Sequence, residues 1–376
     1  MRDDACGLQR VLMLGPGLQV MGGISSVERL LVAYPPTGVE YVHISTLEDG
    51  PAVRKLQVFA IALYRLLQHL IGGRIDLVHI HFSKRGSTLR KSILMMLVLL
   101  WGKPCILHAH GSEFRSFFQS LPVLLQEGVG WLFRRCDRFI ALSESWRTFY
   151  QDALHLEAHQ IVVLPNPVEL PPQVPDRTDQ NGVRFVFLGR IGERKGAYAL
   201  IRAFAQVQAT ASQPIHLTLA GDGEVEAARQ LVATLGVESQ VCVMDWVSPE
   251  QRDALLADAH VFVLPSSNEG LPMSLLEAMG WGLAVITTPV GGIPEVVTDA
   301  VDGLLVTPGD VAGLAAAMRS LIENPPYRQQ LGAQARARVT PLDIRNYTKV
   351  LRQVYDGAGQ SWPVTPGVKP IPAGED

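Results

Sequence analysis

The sequence predicts an α/β protein made of two doubly wound βα domains that face each other across a cleft. Three observations carry this expectation. Short β-branched apolar runs alternate with longer helical patterns, the mark of parallel strands joined by crossover helices. A proline cluster (Pro165, Pro167, Pro171, Pro172 and Pro175) then interrupts the alternation. Proline fixes φ and removes an amide donor, so the cluster continues neither a helix nor a central strand. Beyond it the alternation restarts. Ligands of such sheets bind outside the carboxyl ends of the strands, which places the expected site in the cleft.

In the first half, strands are expected at residues 11–14, 39–44, 77–81, 105–108, 139–142 and 161–164, with amphipathic helices at 53–71 and 89–101. In the second half they are expected at 184–188, 216–220, 241–245, 261–264, 284–287 and 303–306. The domains follow as 1–168 and 183–340, joined by a Pro-rich linker at 169–182. A helix at 344–356 is expected to pack back on the first domain, and 357–376 to form a mobile tail.

The 376 residues suffice for two cores of ordinary size. With 47% hydrophobic and 18% charged residues, the chain is no disordered one. A net charge of −3 excludes a general nucleic-acid binder. The cysteines at 6, 105, 136 and 242 form no CxxC pair, so neither a zinc site nor a disulfide framework is expected, and Cys105 and Cys136 read as core thiols. Acidic Asp3 and Asp4 stand where a signal peptide is basic. The longest apolar run, residues 93–101, falls well short of the roughly 20 residues that span a bilayer. These features lead to the expectation of a cytoplasmic protein.

The strongest local signal is Ser266-Ser267-Asn268-Glu269-Gly270-Leu271-Pro272, which follows a buried strand and opens a helix. Proline is favoured at a first helical position, and first-turn amides are unpaired and suited to hydroxyls or anions. Glu269 precedes this helix, and Glu277 lies about two turns further along. Carboxylates at such positions accept hydrogen bonds from vicinal diols. Arg190 and Lys195 flank another glycine-bearing strand-to-helix turn, where cations and amides together suit a diphosphate. Gly221-Asp222-Gly223 is a third such turn, and Trp246 is a candidate to stack on a nucleobase.

The series Gly189-Arg190, Lys195-Gly196, Ala220-Gly221-Asp222-Gly223, Glu269-Gly270-Leu271-Pro272, Glu277-Ala278 and Pro289-Val290-Gly291-Gly292-Ile293-Pro294-Glu295 resembles the donor domain of glycosyltransferase family 4, in the family's order. The resemblance implies a GT-B-type fold of two Rossmann-like domains, the first acceptor-side and the second donor-binding. It implies retaining transfer from a nucleotide-sugar without a divalent metal or other cofactor. Carried over, Arg190 and Lys195 hold the diphosphate, Glu269 the transferred sugar and Glu277 the ribose, with Gly270, Leu271 and Pro272 completing the donor site.

The first half resembles the family more loosely. Gly22-Gly23-Ile24 matches its glycine loop near the leaving diphosphate, although the spacing is no dinucleotide fingerprint. Strand alternation puts His108 and His110 on one face, but the sequence shows no third ligand for a metal. His110 matches the family histidine beside the transferred sugar. His79 and His81 read as structural. Lys84, Arg85, Arg90 and Lys91 form a basic patch on a slightly acidic protein, similar in form to bacterial exopolysaccharide mannosyltransferases. That similarity implies an acceptor such as a polyprenyl-diphosphate-linked glycan, gripped by the basic loop at the inner membrane face. Residues 114–118 and 131–135 offer aromatic and basic groups either for a bilayer surface or for the core.

The expected activity is hexose transfer from GDP-mannose or a UDP-sugar to a glycan in exopolysaccharide or cell-surface synthesis. Two other readings share the fold: a nucleotide-sugar epimerase, and a non-catalytic nucleotide-sugar-binding partner of a polysaccharide complex.

Overall fold

The computed structural model describes residues 8–177 and 182–359. The chain divides into two compact units, the first holding residues 1–167 together with the helix Ile344–Asp356, the second Val168–Asp343. The tail expected at 357–376 lies outside the described residues from 360 onward, as does 178–181 of the expected linker.

Unit 1 is a six-stranded parallel sheet. Its strands are β1 (Gln9–Gly15), β2 (Val39–Ser45), β3 (Leu77–Phe82), β4 (Cys105–Ala109), β5 (Arg138–Ala141) and β6 (Ile161–Val163), in the order β2-β1-β3-β4-β5-β6. The central strands β3 and β4 are buried along their whole length, as parallel strands covered by helices on both faces must be. The helix Glu144–Leu154 begins where Ser143 accepts from the Trp146 amide and ends at His155 in the left-handed region. The helix Ile344–Asp356 buries Tyr347, Leu351, Val354 and Tyr355, one stripe at helical spacing. Tyr355 pins it to the sheet, its hydroxyl lying 2.9 Å from that of Tyr41 and 2.8 Å from His79 Nδ1.

Unit 2 repeats the architecture. Its strands are β7 (Val183–Leu188), β8 (Ile215–Ala220), β9 (Val241–Met244), β10 (Val261–Leu264), β11 (Ala284–Thr287) and β12 (Leu304–Leu305), in the order β12-β11-β10-β7-β8-β9. The helix Pro249–Asp258 opens on a reciprocal capping box between Ser248 and Gln251. The proline-bearing segment leading into the unit rests on its helices: Arg336 donates to Pro171 O, and Arg177 to Ala257 O and Leu256 O.

The strands stand within one or two residues of the sequence expectation. One helix differs more. The helix expected at 89–101 begins at Gly86, because its first turn carries serine, threonine and a glycine rather than the apolar spacing that marks its later turns.

Candidate active site

In unit 2 the connections diverge between β7 and β10, the first and fourth strands of the sheet. This is the switch point at which doubly wound sheets open a crevice. The loop 189–196 follows β7 and the loop 265–272 follows β10. Ser267 donates its amide to Arg194 O at 2.9 Å, and Arg194 Nη1 donates to Asn268 O at 3.2 Å. Gly196 sits at φ 74°, and a Cβ there would lie 2.2 Å from Pro265 O, so glycine is what lets the two loops meet. The loop 289–295 braces them through Gly292 N to Gly270 O at 2.7 Å.

The charged residues singled out from the sequence come together here in pairs. Lys195 Nζ lies 2.5 Å from Glu269 Oε1, with the Glu269 side chain 6% exposed and that of Lys195 15%. Arg190 Nη1 donates to Asp222 Oδ2 at 2.7 Å on the exposed side. Glu277, in the helix Met273–Gly280, accepts from Arg252 Nη1 at 2.6 Å. Each cation is thus held by a carboxylate, and an incoming diphosphate competes for it with a partner already in place. Arg252 escaped the sequence reading because it is one charged residue on a helix with no motif around it.

Pro272 departs from expectation. At ψ 128° it is extended and serves as N-cap, so the helix starts at Met273. Residues 269–272 are therefore loop, with Glu269 before the helix and Glu277 inside it as expected. The helix start carries no side-chain cap. Trp246 is exposed, as a base-stacking residue must be.

In unit 1 the switch point lies between β1 and β3. Gly22 is the N-cap of the helix Gly23–Ala33, with φ 149°. That helix sends the Glu28 carboxylate over the end of β1, where a Cβ on Gly15 would lie 1.4 Å from Glu28 Oε1. Glu28 is fully buried and accepts from His43 Nε2 at 3.2 Å. Burial raises its pKa, and the His43 contact opposes the rise.

The parallel register of β3 and β4 sets His81 opposite His108, and strand alternation adds His79 and His110 on the same face. Ring centroids are 4.3 Å apart for His79 and His81, 4.9 Å for His81 and His108, and 4.0 Å for His108 and His110. His81 Nδ1 lies 2.9 Å from His110 Nε2. Burial lowers the pKa of His79 and of His110 to about 3, and pushes those of His81 and His108 well below the ordinary value. The third ring nitrogen that the sequence did not reveal beside His108 is supplied by β3: one nitrogen each of His79, His81 and His108 lies within 4.8 Å of the other two. Two H-x-H runs ending adjacent strands were the signal.

The basic patch loses a member. Lys91 is 2% exposed and points inward, donating to Leu14 O at 2.7 Å and Thr46 Oγ1 at 2.6 Å. Helical spacing explains the correction, since Lys91 shares the buried stripe with Thr88, Leu94, Met95 and Val98. Lys84 pairs with Glu113, Arg85 is exposed, and Arg90 is half-buried. Of the aromatic groups, Phe114 and Phe118 belong to the core, whereas Trp131 is half exposed with Arg135 stacked 3.5 Å from its ring centroid. Val123, Leu124 and Leu125, at the start of the same helix Val123–Phe133, are also exposed.

Two sheets of this topology, each with glycine-rich loops at its switch point, define a GT-B protein. The solved structure of Anabaena HepE in complex with UDP superposes with a TM-score of 0.74 over 93% of this chain and 100% of that one, at 18% identity. Residues 27–170 match the profile described as Glycosyltransferase Family 4, and residues 175–338 that described as Glycosyl transferases group 1. The chain belongs to this family of glycosyltransferases. A glycogen synthase of Mycobacterium tuberculosis is 30% identical over 236 residues, 60% of this chain, and the match spans only 55% of the synthase. The Escherichia coli UDP-Gal:α-D-GlcNAc-diphosphoundecaprenol α-1,3-galactosyltransferase is 26% identical over 297 residues, 75% of this chain and 74% of that one. Among the described residues no helix is long and apolar enough to cross a membrane.

Proposed function

We propose that the protein is a retaining glycosyltransferase that moves a hexose from a nucleotide-sugar to a lipid-linked glycan acceptor in cell-surface or exopolysaccharide synthesis. The observation that carries this reading is the paired set Lys195–Glu269, Arg190–Asp222 and Arg252–Glu277, gathered on the strand-end loops and neighbouring helices of unit 2. As the sugar–phosphate bond breaks, charge builds on the nucleoside diphosphate. Lys195 and Arg190 turn from their carboxylates to that charge and stabilise it. These cations do what a divalent ion does in other transferases, so turnover is metal-independent. Glu269, released from Lys195, accepts from sugar hydroxyls, while Glu277 accepts from the ribose diol. His110 contacts the transferred sugar, and Gly22 and Gly23 admit the diphosphate close to the backbone. The anomeric carbon exchanges its bond to the diphosphate oxygen for one to the acceptor hydroxyl, whose proton passes to the leaving phosphate.

The names of the comparison proteins support a UDP-sugar as donor and a diphosphate-linked lipid as acceptor, and the form of the basic loop supports GDP-mannose. Lys84, Arg85 and Arg90 suit the acceptor diphosphate. Exposed Leu124 and the stacked Trp131–Arg135 pair suit peripheral attachment to the cytoplasmic membrane face. The deciding experiment incubates the protein with UDP-, GDP- and ADP-hexoses and a polyprenyl-diphosphate glycan, with and without EDTA. Transfer with retained anomeric configuration, unchanged by brief chelation, is expected. Isomerisation of the donor without an acceptor would establish the epimerase instead, and binding without turnover the non-catalytic partner. Activity abolished by brief EDTA treatment and restored by a divalent ion, with the melting temperature unchanged throughout, would overturn the metal-free mechanism.

A further inference from the structure

We infer that His79, His81 and His108 form a binding site for one divalent transition-metal ion inside unit 1, with zinc the best match to their chemistry. No step of the transfer passes through this site; the two readings meet only at His110, whose Nε2 lies 2.9 Å from His81 Nδ1.

All three side chains are fully buried, and a ring nitrogen from each lies within 4.8 Å of the others. Burial alone does not single them out, since a buried imidazole normally finds a hydrogen-bond partner for each nitrogen. These do not. His79 commits Nδ1 to the Tyr355 hydroxyl at 2.8 Å, and His81 commits Nδ1 to His110 at 2.9 Å. Their Nε2 atoms, and both nitrogens of His108, have no protein partner. For His79 and His81 this is the pattern of metal-ligating histidine, in which one ring nitrogen faces the ion while a neighbour fixes the tautomer and orientation through the other; His108 offers either nitrogen, with no such neighbour. Neutral imidazole, the form that offers a lone pair, is the ligand such a site requires.

The surroundings suit a cation of modest charge. Glu28 Oε1 lies 4.0 Å from His81 Nδ1 and has no hydrogen-bond partner, so a buried carboxyl group, its pKa raised by burial, stands beside the Nδ1 edge of His81. Lys91 is the opposing charge. Burial lowers its pKa to about 7, and its contacts to Leu14 O and Thr46 Oγ1 do not require a proton beyond those it donates. An all-imidazole set selects zinc, cobalt, nickel or copper over the hard ions magnesium and calcium. Zinc–nitrogen bonds of about 2.0 Å hold ligand nitrogens about 3.3 Å apart in a tetrahedron, so the rings close in slightly on loading. Because no ligand reaches the surface, the ion enters as the sheet folds.

The test uses the full chain, expressed in zinc-supplemented medium, dialysed against a weak chelator and assayed for metal by mass spectrometry. About one zinc per chain is expected, with loss of that zinc in His79→Gln and in His108→Gln but not in His216→Gln, an exposed histidine of unit 2. Protein refolded with zinc should melt about 5–10 °C above protein refolded without it. Should the glutamine variants fail to fold, cobalt-loaded wild-type protein decides. A tetrahedral visible spectrum and X-ray absorption showing three imidazole ligands support the site. Folded wild-type protein that takes up neither zinc nor cobalt, or that retains the same metal after both substitutions, overturns it.

Discussion

The two units share an architecture and handle charge in opposite ways. In unit 2 the most deeply buried polar side chains are the hydroxyls of Ser266, Thr287 and Thr288, and the charged groups of the strand-end loops and neighbouring helices form carboxylate–cation pairs. In unit 1, Glu28, His79, His81, Lys91 and His108 all lie inside the fold at 2% exposure or less. Buried ionisable groups weaken a fold unless partners compensate them. The difference shows which unit keeps its polar groups as exchangeable pairs for a ligand, and which builds them into its core.

The sharpest way to break this contrast is to remove one member of an exchangeable pair. Lys195→Ala takes away a cation that touches the developing diphosphate charge and leaves Glu269 buried without its partner. Turnover is expected to fall by about 10²- to 10³-fold, with the circular dichroism spectrum and unit 1 unchanged. Glu269→Ala should cost a similar factor. Steady-state kinetics with saturating acceptor checks both, and unchanged turnover in either would remove the pair from the mechanism.

The buried set of unit 1 makes its own prediction, through pH. The folded pKa values of His79, His81, His108 and His110 lie below the ordinary 6.5 of an unfolded imidazole. Between the two values the unfolded chain binds protons that the native chain refuses, so stability is full above pH 6.5 and is lost as pH falls towards the folded values. Each such group costs about 1.4 kcal/mol per pH unit in that window. The raised pKa of Glu28 acts in the opposite sense, and a bound metal ion would steepen the loss, because its ligands must be deprotonated. Hydrogen exchange read peptide by peptide should show unit 1 losing at least about tenfold protection per pH unit between pH 6 and 5. Unit 2, with His260 its one histidine lowered among the described residues, should lose less. Equal losses in the two units would break the comparison.

The same contrast explains what the sequence made legible. Parallel strands buried on both faces are short apolar runs, and both sheets were readable from them. Arg190, Lys195 and Glu269 are readable because each falls beside a glycine or proline turn at a strand end, where local chemistry and fold coincide, and Glu277 is readable by its spacing from Glu269. Glu28, Lys91 and the two H-x-H runs are far apart in the chain, and only strand register joins them. Lys91 carried a usable signal in its i, i+3, i+4 spacing with Thr88, Leu94 and Met95, masked by the neighbouring Arg85 and Arg90. Arg252 is invisible in the sequence because a partner of a partner leaves no pattern of its own, whereas Asp222 stands in a legible turn whose pairing with Arg190 only the fold reveals.

The surface of unit 1 supplies a smaller test. Leu124 is 86% exposed at the start of a helix that also presents Trp131, on whose ring Arg135 stacks from just beyond the helix end. Burying a leucine side chain in lipid is worth about 1.5–3 kcal/mol, so Leu124→Glu should weaken binding to phosphatidylglycerol vesicles at least about tenfold. Transfer to a short, soluble acceptor should be unaffected. Unchanged flotation with the vesicles would assign this helix no part in attachment.

Arg252 gives the finest discrimination, because it touches Glu277 rather than any group we place on the reacting atoms. If its role is to hold the Glu277 carboxylate for the ribose diol, Arg252→Ala loosens that carboxylate and should raise the donor KM about fivefold, near the 1 kcal/mol of one ordinary hydrogen bond. kcat should change little, since the ribose is bound alike in ground and transition states. Arg252→Lys keeps the charge without the planar fork and should recover part of the loss. A fall in kcat at constant KM would instead place Arg252 among the groups that answer the developing diphosphate charge. The exchangeable set of unit 2 would then extend from the strand-end loops into the helix Pro249–Asp258.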